Sequence, residues 1–249
     1  MSGHSKWSSI KRKKAAVDAK RGAQFTKLIR EITIAAREGG GDADGNPRLR
    51  SAIQAGKTAN MPTDNIERAI KKGTGEIEGV VYEETTYEGY GPGGAAIIVE
   101  VTTDNINRTV AEIRNIFTKK GGNLGTTNSV AWMFERRGQF LIDATRYDED
   151  TALEAALEAG SEDFEVDGES YTVTTSPSEL HTVQDAVEKR GIATSDAQLA
   201  MIPTNTVIVE GADAQKLLKL MDALDDQDDV SRTHSNFDID AGTLEAAAE

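Results

Sequence analysis

GQFLIDATRYDED, residues 138–150, opens a segment in which strand-like and helix-like patterns follow one another as far as Pro203. Four short runs are rich in β-branched and aromatic residues, as strands are; they are GQFLID (138–143), EDFEVDG (162–168), SYTVTT (170–175) and AQLAMIP (197–203). Two longer runs have apolar residues at helical spacing; they are DEDTALEAALEAG (148–160) and SELHTVQDAVEKRG (178–191). The resulting order is β-α-β-β-α-β, which predicts a ferredoxin-like α+β unit.

The segments on either side of this unit predict a second α+β unit. A strand, a helix and a strand are expected first in AAIIVEVTT (95–103), RTVAEIRNIFTKKGGN (108–123) and SVAWMFER (129–136), and again in TNTVIVEG (204–211), ADAQKLLKLMDALDDQ (212–227) and DDVSRTHSNF (228–237). We therefore expect residues 137–203 to be inserted into a discontinuous α+β domain made of residues 80–136 and 204–240. Two units packed simply in tandem would use the same elements.

Three short helices are predicted in the first 79 residues. Asn46 followed by Pro47 has the residue types of a helix N-cap and a first helical position. Asp64 and Glu67 have the spacing of a capping box, and Gly73 is expected to end the last helix. Helices this short bury little apolar surface alone, so we expect them to pack on one another as a bundle.

Charge is divided unequally along the chain. The whole protein has a formal net charge of −14, but residues 1–75 carry 16 Lys or Arg against 7 Asp or Glu, and the remaining 174 residues carry 12 against 35. The two parts therefore have net charges of +9 and −23. This division predicts a basic helical domain with a flexible N-terminal arm (1–79), followed by acidic domains and a short acidic tail (241–249). A basic end on an acidic protein indicates an anionic partner.

Composition excludes several classes of protein. The chain has no cysteine, which rules out disulfides, thiolate metal sites and cysteine nucleophiles. No apolar run approaches the roughly 20 residues that a membrane-spanning helix needs. Lys11–Lys14 occupy the place where a signal peptide would have its apolar segment. We therefore expect a cytoplasmic protein with no membrane partner.

No arrangement of residues in the sequence indicates catalysis. YEGYGPGG (87–94) is rich in glycine, but it lacks the Lys-Ser/Thr of a P-loop and precedes a strand instead of a helix. His4, His181 and His234 are too far apart for a local metal site. The acidic run at 225–229 lacks the glycine and the final glutamate of a calcium loop. The sequence predicts a non-enzymatic protein with no cofactor and no metal; an unrecognised hydrolase is the weaker alternative.

The basic arm gives the strongest indication of function. Four lysines from Lys6 to Lys27 recur every seven residues, whereas Lys11–Lys14 are consecutive and would surround a helix. Such a segment can be flexible alone and become ordered when it binds along a phosphate backbone, and Trp7 can stack on a base. The predicted nucleic-acid-binding residues are Lys6, Trp7, Lys11, Arg12, Lys13, Lys14, Lys20, Arg21, Lys27, Arg30, Arg48 and Arg50. The alternatives are a solubilising tail, an arm folded on the acidic domains and a Trp7 that packs on the bundle.

Two loops form a second candidate contact surface. Tyr87 and Tyr90 lie in a glycine-rich loop and can offer rings for stacking, although a tight turn between strands explains the same residues. Asn105, Asn107 and Arg108 lie where a strand becomes a helix and predict a polar patch for RNA, DNA or protein. An asparagine at such a junction is also a good N-cap, and the two roles are compatible.

The sequence resembles the YebC/PmpR family along nearly its whole length. The matching stretches are GHSKW (3–7), KRKKAAVDAKRG (11–22), FTKLIREITIAA (25–36), GGGD (39–42), NPRLRSAI (46–53), NMPTDNIERAIKKG (60–73), YEGYGPGG (87–94), TDNINRT (103–109), GGNLG (121–125), SVAWMF (129–134) and AMIP (200–203). Two positions depart from the family pattern: Ser2 stands where alanine is expected, and Asn128 stands where glycine is common. Asn128 can adopt the turn conformation that glycine otherwise supplies.

The resemblance implies a helical N-terminal domain and two α+β domains, one inserted in the other. The family is described as cytoplasmic probable transcriptional regulators that bind promoter DNA, which implies a regulator that grips phosphates with its arm and bundle. The family has also been connected to translation, and its relatives include a mitochondrial translational activator of cytochrome c oxidase. The alternative is therefore a ribosome-associated factor that binds ribosomal or transfer RNA and relieves stalling on proline-rich sequences. The oligomeric state is left unassigned.

Overall fold

The computed structural model describes residues 21–240 and 242–243, except for the side chains of residues 21–23 and 167. The elements in chain order are α1 (Arg21–Gly39), α2 (Pro47–Thr58), α3 (Thr63–Thr74), β1 (Glu83–Tyr90), β2 (Ala96–Thr103), α4 (Ile106–Lys119), β3 (Asn123–Leu124), β4 (Phe134–Asp143), α5 (Glu149–Ala159), β5 (Asp163–Asp167), β6 (Ser170–Thr175), α6 (Leu180–Lys189), β7 (Thr194–Pro203), β8 (Val207–Ile208), α7 (Gly211–Asp225), β9 (Val230–Ser235) and β10 (Phe237–Asp238). They form two compact units. One comprises residues 135–202, and the other comprises the described residues before 135 and after 202.

Helix α2 begins as its sequence predicts. Asn46 is the N-cap, and its side chain accepts a hydrogen bond from the Leu49 N–H at 3.1 Å. The Asn46 amide also donates to the carbonyls of Ala35 and Gly40, near the end of α1. One side chain therefore starts α2 and fixes the turn that precedes it.

Helix α3 begins and ends at other residues than predicted. Its N-cap is Pro62, with no side-chain hydrogen bond, so the capping box predicted for Asp64 and Glu67 is wrong. Asp64 lies in the first turn instead, where its charge complements the helix dipole. The helix runs through Gly73 and ends on Gly75, which has a left-handed φ of 80°.

Gly73 lies inside α3 because α1 passes directly against it. A Cβ atom at Gly73 would lie 2.3 Å from the carbonyl oxygen of Thr33 and 2.7 Å from Cβ of Ala36. The bundle core next to this contact is small and apolar; it contains Ile32, Ala35, Ala36, Leu49, Ala52, Met61, Ile66 and Ala69. The glycine allows the two helix backbones to approach at the distance that closes this core.

The same unit contains a four-stranded sheet of order β3-β1-β2-β9. Strand β2 lies inside the sheet and pairs antiparallel with β1 and β9. Alternate residues of β2, Val99 among them, share one buried core with Phe117 of α4 and Leu217 of α7. The opposite face of the sheet carries the other residues of each strand, including Glu88 and Tyr90 of β1. Strands β8 and β10 form a separate parallel pair.

The predicted strand at residues 129–136 is wrong in its first half. Ala131–Met133 form a 3-10 turn, and β4 begins only at Phe134. β4 pairs within the other sheet of the protein. The strand that follows α4 in its own sheet is instead the short β3, which pairs with Gly89 and Tyr90 of β1.

Residues 135–202 form the second unit around a sheet of order β5-β6-β4-β7. Here the predicted strands and helices are confirmed, with shifts of a few residues at their ends. Helices α5 and α6 share one core with the sheet; it includes Phe140, Ile142, Ala156, Val173 and Val187. Asp148 caps α5 by accepting a hydrogen bond from the Thr151 N–H.

No helix among the described residues is long and apolar enough to cross a membrane. The longest of them, α1, carries charged residues along its length.

We predict that Gly73→Ala lowers the free energy of unfolding by about 2 kcal/mol, because the added methyl group overpacks the contact between α1 and α3. Chemical denaturation measures the change. Gly45→Ala is the matched control, since the nearest atom to a Cβ there lies 3.9 Å away, and its effect should stay within about 1 kcal/mol. Equal stability of the two variants would contradict the close approach of the two helices.

Candidate nucleic-acid interface

Helix α1 directs two of the predicted cations toward the turn between α7 and β9. Lys27 donates through Nζ to the carbonyl of Asp225 at 2.5 Å. Arg30, three residues later on the same helix face, donates to the carbonyl of Asp228 at 2.5 Å and forms an ion pair with Asp229 at 2.9 Å. The two side chains join the helical segment to the end of the sheet.

Asp229 receives hydrogen bonds from two further elements. Its Oδ2 accepts from Thr109 Oγ1 at 2.6 Å, from Arg108 Nη2 at 2.7 Å and from Thr103 Oγ1 at 3.2 Å. Its Oδ1 pairs with Arg30. The carboxylate therefore connects α1, β2, α4 and the start of β9 at a single point.

Asp229 is charged although it is buried. Its side chain is 3% exposed and that of Arg30 is 13% exposed. Burial alone would raise the pKa of Asp229, but the hydrogen bonds from Thr109 and Arg108 and the charge of Arg30 lower that pKa below its ordinary value of 3.8. A group with a lowered pKa stabilises the fold above its ordinary pKa, and this contribution is lost as the pH falls through the folded-state value.

Arg48 also pairs within the protein. Its guanidinium lies 2.8 Å from Glu31, 2.7 Å from Glu38 and 2.8 Å from Glu84. Arg50 donates to the carbonyls of Ala43 and Asp44 at 3.5 Å. Arg30, Arg48 and Arg108 thus each hold an internal carboxylate.

The rest of the predicted cationic set lies outside the described residues. These positions are Lys6, Trp7, Lys11, Arg12, Lys13, Lys14 and Lys20, together with the side chain of Arg21. Most of the predicted acidic tail, residues 241–249, lies outside them as well. Phosphate binding by these cations stays a prediction.

Helices α2 and α3 expose four cations that carry no ion pair to a described acidic residue. Lys57 lies in the last turn of α2, and Arg68, Lys71 and Lys72 lie on α3. The spacing of the last three, i, i+3 and i+4, places them on one helix face. None of these four is among the nucleic-acid-binding residues predicted from the sequence, because a cation pattern does not reveal which members pair internally.

The polar patch after β2 has mainly structural contacts. Asn105 is the N-cap of α4 and accepts from the Arg108 N–H at 3.1 Å. Arg108 pairs with Asp104 at 2.8 Å in addition to Asp229. Asn107 is exposed. Of this predicted patch, Asn107 is the side chain for which the structure gives no internal contact among the described residues.

The two tyrosines expected in the glycine-rich loop lie on strand β1 instead, and both are used within the fold. Tyr87 packs against the sheet core, and burial raises the pKa of its phenol. The Tyr90 hydroxyl donates to the Ser129 carbonyl at 3.0 Å. Gly93 and Gly94 have φ values of 74° and 79°, as a tight turn requires. Stacking by these rings stays a prediction.

Glu88 organises the loop that leads from β3 to β4. Its buried carboxylate accepts N–H bonds from Asn128 at 2.7 Å and from Val130 and Ala131 at 2.8 Å each. Burial alone would raise the pKa of Glu88, but these backbone hydrogen bonds lower it below its ordinary value. Asn128 has a φ of 64°, which confirms the turn conformation expected at this position.

This loop exposes a residue that sequence reasoning missed. Trp132 is 70% exposed, and its Nε1 donates to the Ser129 carbonyl at 3.2 Å. The pattern of residues 129–136 predicted a strand, so the loop that precedes β4 was not recognised in the sequence. The preceding Thr126-Thr127-Asn128-Ser129 run is rich in turn-forming residues and was the available signal.

Within the part of the chain that the structure describes, no group of three or more His, Cys, Asp or Glu side chains is placed to hold a metal ion.

Comparison with known proteins gives consistent matches along the chain. Residues 5–76 match the model of the TACO1/YebC protein N-terminal domain, and residues 82–237 match that of the TACO1/YebC second and third domain. A probable transcriptional regulatory protein of Desulfotalea psychrophila is 58% identical over all of both chains. One from Persephonella marina is 57% identical over 98% of this chain and 99% of its own. The crystal structure of a conserved hypothetical protein from Aquifex aeolicus is 49% identical, with a TM-score of 0.85 over 90% of this chain and 93% of that one.

We predict that Asp229→Asn lowers the free energy of unfolding by about 3 kcal/mol at neutral pH, because two arginines lose their buried counterion. Denaturant titrations at several pH values measure this. The difference from the wild-type protein should begin to shrink below pH 3.8, where the carboxyl of the unfolded chain becomes protonated, and should be lost fully only below the lower pKa of the folded protein.

Asp213→Asn serves as the control for the loss of one acidic charge. Asp213 pairs with Lys216 on the surface of α7, where such pairs contribute about 0.5 kcal/mol. If Asp229→Asn also lowered the free energy of unfolding by only about 0.5 kcal/mol, the claim that Asp229 holds α1, β2 and α4 together would be contradicted.

Proposed function

The chain belongs to the TACO1/YebC family, and we propose that it is a non-enzymatic regulator of gene expression that binds nucleic acid. The observation that carries the proposal is the division of charge, with +9 in residues 1–75 and −23 in the rest. Phosphate backbones attract the first part and repel the second, so we expect the phosphate contacts to lie in the first part of the chain.

The internal ion pairs indicate which cations carry the binding. Moving Arg30 or Arg108 to a phosphate would remove one of the two arginines that balance the buried Asp229, and moving Arg48 would separate it from three glutamates, which opposes the transfer of these arginines to a phosphate. We therefore assign the phosphate contacts chiefly to the arm, from Lys6 to Arg21. The exposed cations Lys57, Arg68, Lys71 and Lys72 extend this surface along the bundle.

The proposed ligand is DNA. The relatives named above carry the description of a probable transcriptional regulatory protein, and promoter DNA is the ligand that such a role requires. The acidic part of the chain is held away from the duplex by repulsion, so the duplex lies against the basic segment only. A cytoplasmic location is part of this proposal.

A ribosome-associated function is the second candidate, and the acidic part of the chain favours it. A net charge of −23 is unfavourable beside a DNA duplex but complementary to basic ribosomal proteins. In this case the basic segment contacts ribosomal or transfer RNA. Competition between an unlabelled promoter-length duplex and an unlabelled ribosomal RNA fragment for the same protein separates the two candidates.

We also propose three domains, namely residues 1–79, residues 80–136 with 204–240, and residues 137–203. The strand order β5-β6-β4-β7, with one helix after β4 and one after β6, supports a ferredoxin-like arrangement for the last of them. Such a domain has no implied activity of its own.

We predict that replacing Lys11, Arg12, Lys13 and Lys14 together by alanine reduces the magnitude of the slope of log affinity against log salt concentration by up to about 3.6, because each phosphate contact contributes about 0.9 on duplex DNA. Fluorescence anisotropy of a labelled duplex over a series of salt concentrations measures the slope.

Lys216→Ala with Lys219→Ala is the control, because both lysines lie exposed on α7 of the acidic part. This pair should leave the slope unchanged. An unchanged slope in the four-residue variant would remove the arm from the proposed mechanism.

A further inference from the structure

Trp132 is presented to solvent by a loop that is fixed at several points. Beyond the three N–H bonds to Glu88, the Gly125 N–H donates to the Glu88 carbonyl at 2.8 Å. The Tyr90 hydroxyl holds the Ser129 carbonyl, and the Thr204 N–H holds the Met133 carbonyl at 2.9 Å. The loop on which Trp132 stands is therefore bound to β1 and to the segment after β7.

The fixed geometry sets which part of the indole remains available. The Nε1–H is the only polar group of the ring, and it is already used by the Ser129 carbonyl at 3.2 Å. With 70% of the residue exposed, the ring faces are the free surface. An exposed tryptophan is uncommon, because burial of its ring is worth more than that of most side chains.

The surroundings of Trp132 fit a planar polar ligand better than an apolar protein surface. Anchors of protein interfaces normally lie in well-packed pockets surrounded by contacts that exclude water. Here Ala131 and Met133 are half-buried, and the exposed residues of the loop are the polar Thr126, Thr127 and Asn128. Stacking on a base needs only the ring face.

Positive charge precedes the Trp132 loop along the chain. Lys119 and Lys120 are exposed at the end of α4, and they carry no ion pair to an acidic side chain among the described residues. The chain passes from them into β3, the edge strand, and then directly into the loop of Trp132. Proteins that track single strands combine cations with exposed aromatic rings.

We propose that Trp132 stacks on an unpaired base of the bound nucleic acid. This inference rests on the proposed function and adds a second contact, separate from the basic arm. The contact is independent of base identity, since every base has a π-face and the indole has no free hydrogen-bonding group. It requires a base outside the helical stack, so it favours single-stranded segments over an intact duplex.

Anisotropy titrations with the full-length protein test this, using a labelled single-stranded 20-mer as RNA and as DNA, and the DNA as a duplex. Trp132→Ala should weaken single-strand binding about tenfold and duplex binding much less. The slope of log affinity against log salt should not change, because no charge is lost. Trp132→Phe keeps a stacking ring and should restore most of the affinity. Equal losses for RNA and DNA are expected from stacking, whereas a loss confined to RNA would assign the contact to the ribose hydroxyl and overturn the inference.

A second readout observes the ring itself. The chain has two tryptophans, so in a Trp7→Phe background the emission comes from Trp132 alone. Saturation with the single-stranded 20-mer should quench this emission and protect it from acrylamide. Unchanged emission at saturation, with unchanged affinity of Trp132→Ala, would overturn the inference while leaving the proposed function intact. Absence of any binding by the wild-type protein at low salt would overturn the proposed function itself.

Discussion

The buried carboxylate of Asp229 is the constraint on which the larger unit depends. It lies at the start of β9 and is bound by side chains from α1, β2 and α4, which are distant from it in sequence. The aspartate is only 3% exposed and needs its arginine partners to remain charged there; Arg30 is 13% exposed and Arg108 is 43% exposed. This interaction therefore fixes the helical segment on the sheet and uses two of the cations that the sequence seemed to offer for ligand binding.

Charge in this protein accordingly has two uses that differ in pairing. Arginines at 30, 48 and 108 pair with carboxylates of the same chain, since planar guanidinium groups bind several acceptors at once. The exposed cations on α2 and α3 are mostly lysines, which remain hydrated and pair weakly. A phosphate backbone can therefore bind the exposed lysines readily, whereas it would have to displace carboxylates to bind the paired arginines.

Local sequence patterns predicted most of the helices and strands. They could not predict which side chains pair when the two residues are far apart in the chain. The Asn46 cap, the individual strands and helices between residues 138 and 203, and the turn at Asn128 follow from side-chain chemistry within a few residues. The pairing of Arg30 with Asp229 joins positions about 200 apart, and nothing in the local pattern of either residue reveals the other. Residues 129–133 were mistaken for part of a strand because the carboxylate that binds their backbone, Glu88, comes from another strand.

The central claim is that nucleic acid binds at the basic end of the chain, and ultraviolet crosslinking in cells followed by mapping of the crosslinked residues tests it most directly. The account predicts crosslinks within residues 1–75 and none within residues 137–203, and the attached sequences would distinguish promoter DNA from ribosomal RNA. Crosslinks confined to residues 137–203, or none above a non-irradiated control, would contradict the account.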